Sequence, residues 1–158
     1  MLEMTVHAVN LDALTNQPVI ILKDASSHRF LPIWIGQFEA TAILMEMQGI
    51  KPPRPLTHDL LFSFLVKLSA VVDRVEINDL KDGTFYARIH FSQKGNPTEI
   101  DARPSDAIAL AVRTKSPIFV DEKVIQKASI IINKEEEEIE IERFKEFLEN
   151  ISPEDFGE

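Results

Sequence analysis

The chain of 158 residues has no cysteine, which excludes disulfides, zinc–thiolate centres and thiol nucleophiles. It has only five glycines, and none falls in a Walker loop, a GxGxxG turn or a GxSxG elbow; an HExxH pair is missing too. No apolar stretch approaches the roughly 20 residues that cross a bilayer. The opening MLEMTVHAVNLDAL lacks the basic flank and long apolar run of a signal peptide. These absences predict a cytoplasmic protein without a membrane partner. A broad basic surface of the nucleic-acid-binding kind is missing as well.

The formal charge of −9 is unevenly placed. Residues 134–158 hold 11 acids against three bases, whereas the preceding 133 residues hold 15 acids against 14 bases. A nearly neutral body therefore precedes a strongly acidic tail. In that tail Ile141, Phe144, Leu148 and Ile151 recur at helical spacing. The spacing predicts an amphipathic helix over 134–158 beside a domain of 1–133. The body has the length and composition to bury one core without staples.

Along the body, residues 3–13, "VIILK" and "RFLPIWI" read as strands. "QFEATAILMEMQ" reads as a helix ending at Gly49. The stiff "IKPPRPL" connector leads to a helix from about 58 to 69, with Thr57 as its expected N-cap. That helix is apolar on nearly every side after its first turn, so it is expected to lie buried between layers. Three alternating segments follow, joined at "LKDG" and "KGNP", and then the helix "PSDAIALAVRT". "SPIFVD" and "ASIIIN" read as short strands around a helical turn at 121–127. The fold class is α+β: duplicated β-β-β-α units in β/α/β layers with a buried central helix. Aligning "EATAIL" (39–44) on "DAIALA" (106–111) sets Glu39 against Asp106, Ala40 against Ala107 and Ile43 against Leu110.

Chemistry has few places to sit. The histidines at 7, 28, 58 and 90 lack metal-ligand spacing, and Trp34, between two isoleucines, reads most simply as core or a subunit contact, with base stacking as the alternative. The only basic cluster near a loop is Lys51, Arg54 and His58. Two Arg-Pro entrances, "RPLTHDLLF" and "RPSDAIALA", each set a hydroxyl and then an acid at a helix start. As structure, Thr57 and Ser105 would cap free N–H groups while Asp59 and Asp106 complement the helix dipole. As chemistry, helix N-termini beside Arg54 and Arg103 would clamp phosphate. Glu39, Asp59, Asp101 and Asp106 are the acids available to hold a divalent ion or activate water.

"NQPVIIL", "LPIWIG", "RPLTHDL", "LKDGTFYA" and "DARPSDAIALAVR" together resemble the bifunctional nuclease domain family over residues 3 to about 133. The resemblance implies a duplicated β3-α fold, association as a homodimer or higher homo-oligomer, and hydrolysis of DNA and RNA. It places Glu39, Thr57, His58, Asp59, Arg103, Ser105 and Asp106 in the family's characteristic motifs. The expected function is a metal-assisted nuclease with nucleic acid as its partner. Glu39, His58, Asp59 and Asp106 would be catalytic, Asp59 and Asp106 would hold Mg²⁺ or Mn²⁺, and Arg54, Arg103 and Ser105 would bind substrate phosphate. The alternative is a non-catalytic dimeric regulatory or ligand-binding module whose motifs are helix caps.

Overall fold

A computed structural model describes residues 1–132 and the single positions 138, 139, 142, 143, 145, 146 and 149. The apolar stripe expected at Ile141, Phe144, Leu148 and Ile151 lies outside the described residues. The first unit is β1 (Leu2–Leu11), β2 (Pro18–Asp24), β3 (Arg29–Trp34) and helix α1 (Gln37–Met47). Helix α2 (Thr57–Lys67) leads to the second unit: β4 (Ala70–Lys81), β5 (Thr84–Gln93), β6 (Asn96–Ala102) and α3 (Pro104–Thr114). The chain continues through β7 (Ile118–Val120), α4 (Glu122–Ala128) and β8 (Ile130–Ile131).

Local chemistry accounts for the boundaries. The β4–β5 hairpin turns on Asp82 and Gly83, both at positive φ, the pairing that a two-residue turn of primed type needs. The β5–β6 turn does the same with Lys94 and Gly95, the first two residues of "KGNP". Pro97 instead sits inside β6, which tolerates it as the outermost strand. Helix α1 closes with Gly49 at φ 69; Gly49 N–H donates to Glu46 O and Ile50 N–H to Met45 O, a Schellman end.

All eight strands join one sheet in the order β6-β5-β4-β7-β1-β2-β3-β8. The two three-stranded meanders are linked by β7, parallel to β4 and antiparallel to β1. The sheet curls far enough for α4 to touch both β4 and β3, which have three strands between them. Ile20, Leu22, Leu31 and Ile33 from the first meander share one core with Val75, Ile77, Ala87 and Ile89 from the second. The layers thus belong to one continuous curved sheet.

The buried helix is α3, not α2. Residues Ala107 to Ala111 are at most 1% exposed, with α1 and α2 on one side and β4 and β5 on another. Full burial of Ile108 or Leu110 stabilises by about 1.5–3 kcal/mol each. In α2 only His58 is buried, while Leu60, Phe64, Val66 and Leu68 are all at least half exposed. Among the described residues no element covers the outer face of α2. Trp34 is 49% exposed rather than core, its indole N–H donating to Asp12 Oδ2 at 2.9 Å.

Candidate functional site at three helix N-termini

Glu39, Asp59 and Asp106 hold the same station in three different helices. The N-caps of α1, α2 and α3 are Gly36, Leu56 and Arg103, so each acid is the third residue of its helix. That station places a carboxylate against the free N–H groups and positive end of the dipole. Asp59 Oδ2 accepts from Leu56 N–H at 3.0 Å, the half of a capping box available without a hydroxyl at the N-cap. Glu39 folds back over Gly36, where an added Cβ would collide with its carboxylate. Neither expected hydroxyl cap forms: Thr57 is the first helical residue of α2, and Ser105 is the second of α3 and buried.

The duplication brings two of these acids onto one arginine. Arg103 Nη2 donates to Glu39 Oε1 at 2.7 Å and to Asp106 Oδ1 at 3.2 Å, and Nε donates to Asp106 Oδ2 at 2.8 Å. Glu39 and Asp106 are the aligned pair of "EATAIL" and "DAIALA", and the alanines behind them, Ala40 and Ala107, are both fully buried. Small residues there let α1 and α3 approach closely enough for both carboxylates to meet one guanidinium. His58 Nε2 lies 2.9 Å from Asp106 Oδ1. The resulting chain runs Glu39–Arg103–Asp106–His58 across three helices.

Asp59 belongs to a second pair. Arg113 Nε donates to Asp59 Oδ1 at 2.8 Å, while its other nitrogens donate to Ala109 O and Ala42 O. A guanidinium whose side chain is 4% exposed thereby joins α1, α2 and α3. Arg113 was not among the expected site residues. Its signal is present in the sequence, since it lies seven positions after Asp106 on a helix otherwise made of small and apolar residues. Arg54 is exposed in the connector and joins neither pair.

Burial pushes the Asp106 carboxyl upward, but bonds from Arg103 and His58 outweigh it and hold the group below its ordinary value. Asp59 follows the same balance, with Arg113 and the Leu56 N–H overcoming its burial. Arg103 is held more firmly charged, first by Asp106 and then by Glu39. With both oxygens of Asp59 and of Asp106 accepting from a guanidinium or a backbone N–H, a divalent ion finds no free carboxylate pair. Among the described residues no group of three His, Asp or Glu is placed to hold a metal. The donor set does not fit the Mg²⁺ or Mn²⁺ role expected for Asp59 and Asp106.

What the arrangement offers a ligand is a cation. Arg103 is 65% exposed along its side chain, and its Nη1 makes no bond to a described residue. The guanidinium thus faces solvent with one nitrogen open to an anion, while each of the three helix ends beside it already carries its own carboxylate.

The sequence profile of the bifunctional nuclease domain matches residues 20–133. The chain belongs to that family. It is 44% identical to an uncharacterized protein of Mycobacterium tuberculosis (strain H37Rv), over 98% of this chain and 97% of that one. It is 30% identical to Bifunctional nuclease 1 of Arabidopsis thaliana over 66% of this chain, and 26% identical to Bifunctional nuclease 1 of Oryza sativa subsp. japonica over 72%. It spans only 33% and 35% of the length of those two plant proteins. No helix among the described residues is long and apolar enough to cross a membrane.

Proposed function

We propose that the chain is a nuclease that hydrolyses phosphodiester bonds of DNA and RNA at the Arg103 cluster. The observation that carries this reading is the exposed Arg103 guanidinium beside the His58–Asp106 pair. Arg103 takes a phosphate oxygen through Nη1, where a guanidinium offers directional, charge-assisted bonds. Negative charge that develops on the phosphoryl oxygens is stabilised there. Asp106 accepts from His58 Nε2–H, which leaves Nδ1 as the nitrogen able to take a proton from water and return it to the leaving oxygen. Arg54, on the connector into α2, is a second cation that an extended backbone could meet. Ser105 sits behind the cluster and supports the start of α3 without reaching substrate.

The complete internal pairing of Glu39, Asp59 and Asp106 supports a second reading, a module that binds an anion without cutting it. Labelled single- and double-stranded DNA and RNA distinguish the two, incubated with pure protein in Mg²⁺, Mn²⁺ or EDTA. Cleavage that disappears in both Arg103→Ala and His58→Ala supports the nuclease. Retention of the anion by the unaltered chain without cleavage leaves the binding module. Cleavage equal in all three proteins refutes the site.

A further inference from the structure

Two aromatic side chains stand on the short passage that carries the chain from β3 to Glu39. Trp34 ends β3 and is 49% exposed, and Phe38 is the second residue of α1 and 67% exposed. Every other described Phe, Tyr or Trp outside α2 is less exposed than either. Neither ring pairs with another ring or with a cation among the described residues. Both are nonetheless held in place. The Trp34 indole is tied at its N–H to Asp12 Oδ2. Phe38 lies in the first turn of a helix, directly before Glu39, whose Oε1 takes Arg103 Nη2 at 2.7 Å. The exposed cation of the cluster and the exposed ring of Phe38 are thus one residue and one ion pair apart.

We propose that Phe38 and Trp34 are stacking stations for unpaired nucleobases, so that the Arg103 cluster engages a single strand by its bases as well as its phosphate. The inference rests on the reading that Arg103 takes a phosphodiester oxygen. A single strand presents charged phosphates and flat, neutral bases in turn, and this passage presents a cation and flat rings. The carboxylates of Asp12 and Glu39 stand beside the rings; they repel a phosphate there and leave a neutral base unaffected. The strand therefore lies with a phosphate toward Arg103 and its bases toward Phe38 and Trp34. Base–aromatic stacking accepts any base, because each has a π-face, so it suits a substrate class that includes both DNA and RNA. A base inside a duplex is enclosed by its own stack and has to leave it before a side chain can take its place. Rings already fixed by a hydrogen bond or a helix lose little freedom when a base settles on them.

The test reads binding on mixing and does not depend on cleavage, with Trp34, the only tryptophan of the chain, as its reporter. Labelled oligothymidylate is expected to quench the Trp34 emission, whereas an abasic strand of equal length and a closed duplex leave it unchanged. Anisotropy of the labelled strands should show oligothymidylate bound roughly 10-fold or more tighter than the abasic strand, the effect of a base–aromatic stack. In Phe38→Ala that preference should fall roughly 10-fold, and Phe38→Tyr should restore it. Arg103→Ala should weaken both strands together. Binding of neither strand, equal affinity for the two, quenching as strong by the abasic strand, or a preference unchanged in Phe38→Ala overturns the proposal. The two readings fail separately. A base preference that depends on Phe38, in a chain that cuts nothing, upholds the stacking stations and removes the nuclease. Cleavage that depends on Arg103, with no base preference, removes the stations and leaves the nuclease.

Discussion

Arg103 Nη2 stands 2.7 Å from Glu39 Oε1 across 64 positions of sequence, and the same guanidinium closes on Asp106 three residues away. One exposed cation is thus held in place by the equivalent acids of two repeated units. Arg103→Ala should lower the proposed phosphodiesterase activity by roughly 100-fold or more, the usual effect of removing one donor to developing charge. Its stability should change by only about 1 kcal/mol, because the Arg103 end of both pairs is 65% exposed and screened by solvent. Initial rates alongside urea midpoints check both halves.

Arg113 should behave in the opposite way. Arg113→Met leaves Asp59 without its cation and removes the bonds to Ala42 O and Ala109 O, and a broken buried pair costs about 3–5 kcal/mol. Adding Asp59→Asn should recover part of that loss. Additive losses in a double-mutant cycle would show that the two side chains act independently.

Acid should weaken the fold through the same cluster. Asp59 and Asp106 have folded values below the ordinary 3.8. Their contribution is therefore complete above the ordinary value and is lost as pH falls through it toward the folded one. Urea midpoints measured from about pH 6 down to about pH 3 should fall, and less steeply in Asp59→Asn and Asp106→Asn. A slope unchanged in both variants would place the acid sensitivity elsewhere.

Gly36→Ala tests the start of α1 without straining the backbone, since φ there is −74°. The new Cβ meets the Glu39 carboxylate, which must leave the helix end and loosen its hold on Arg103. A loss of about 1 kcal/mol is expected, comparable to a lost cap. The substitution should have much less effect once Glu39 is already alanine.

The order of elements was legible because each carries its own period or punctuation: alternation in the strands, Asp82-Gly83 at a hairpin, Gly49 after a helix. The short β7–α4–β8 passage was legible for the same reason. What failed were readings that depend on neighbours. The apolar run in α2 gives the amount of surface to be covered but not its cover, and so it predicted burial inside the chain. Thr57 had the right chemistry for a cap, yet the backbone turns one residue earlier at Leu56. Glu39 and Arg103 could not be joined from spacing, since only the packing of Ala40 and Ala107 brings α1 to α3. Arg113 passed unnoticed because a cation at the end of a helix has an adequate local explanation in the dipole.

The first meander, β1 to β3, is bordered on one side by β7 and on the other by β8, both supplied by the second half of the chain. The connector between Gln48 and Leu56 is the only covalent tie from that meander and α1 to everything after it. Cutting the connector should therefore leave the fragments clasped together, and separately made halves should find each other and assemble into one working fold. A protein built this way can exchange its first half between chains, or acquire it from another gene, without redesigning either edge.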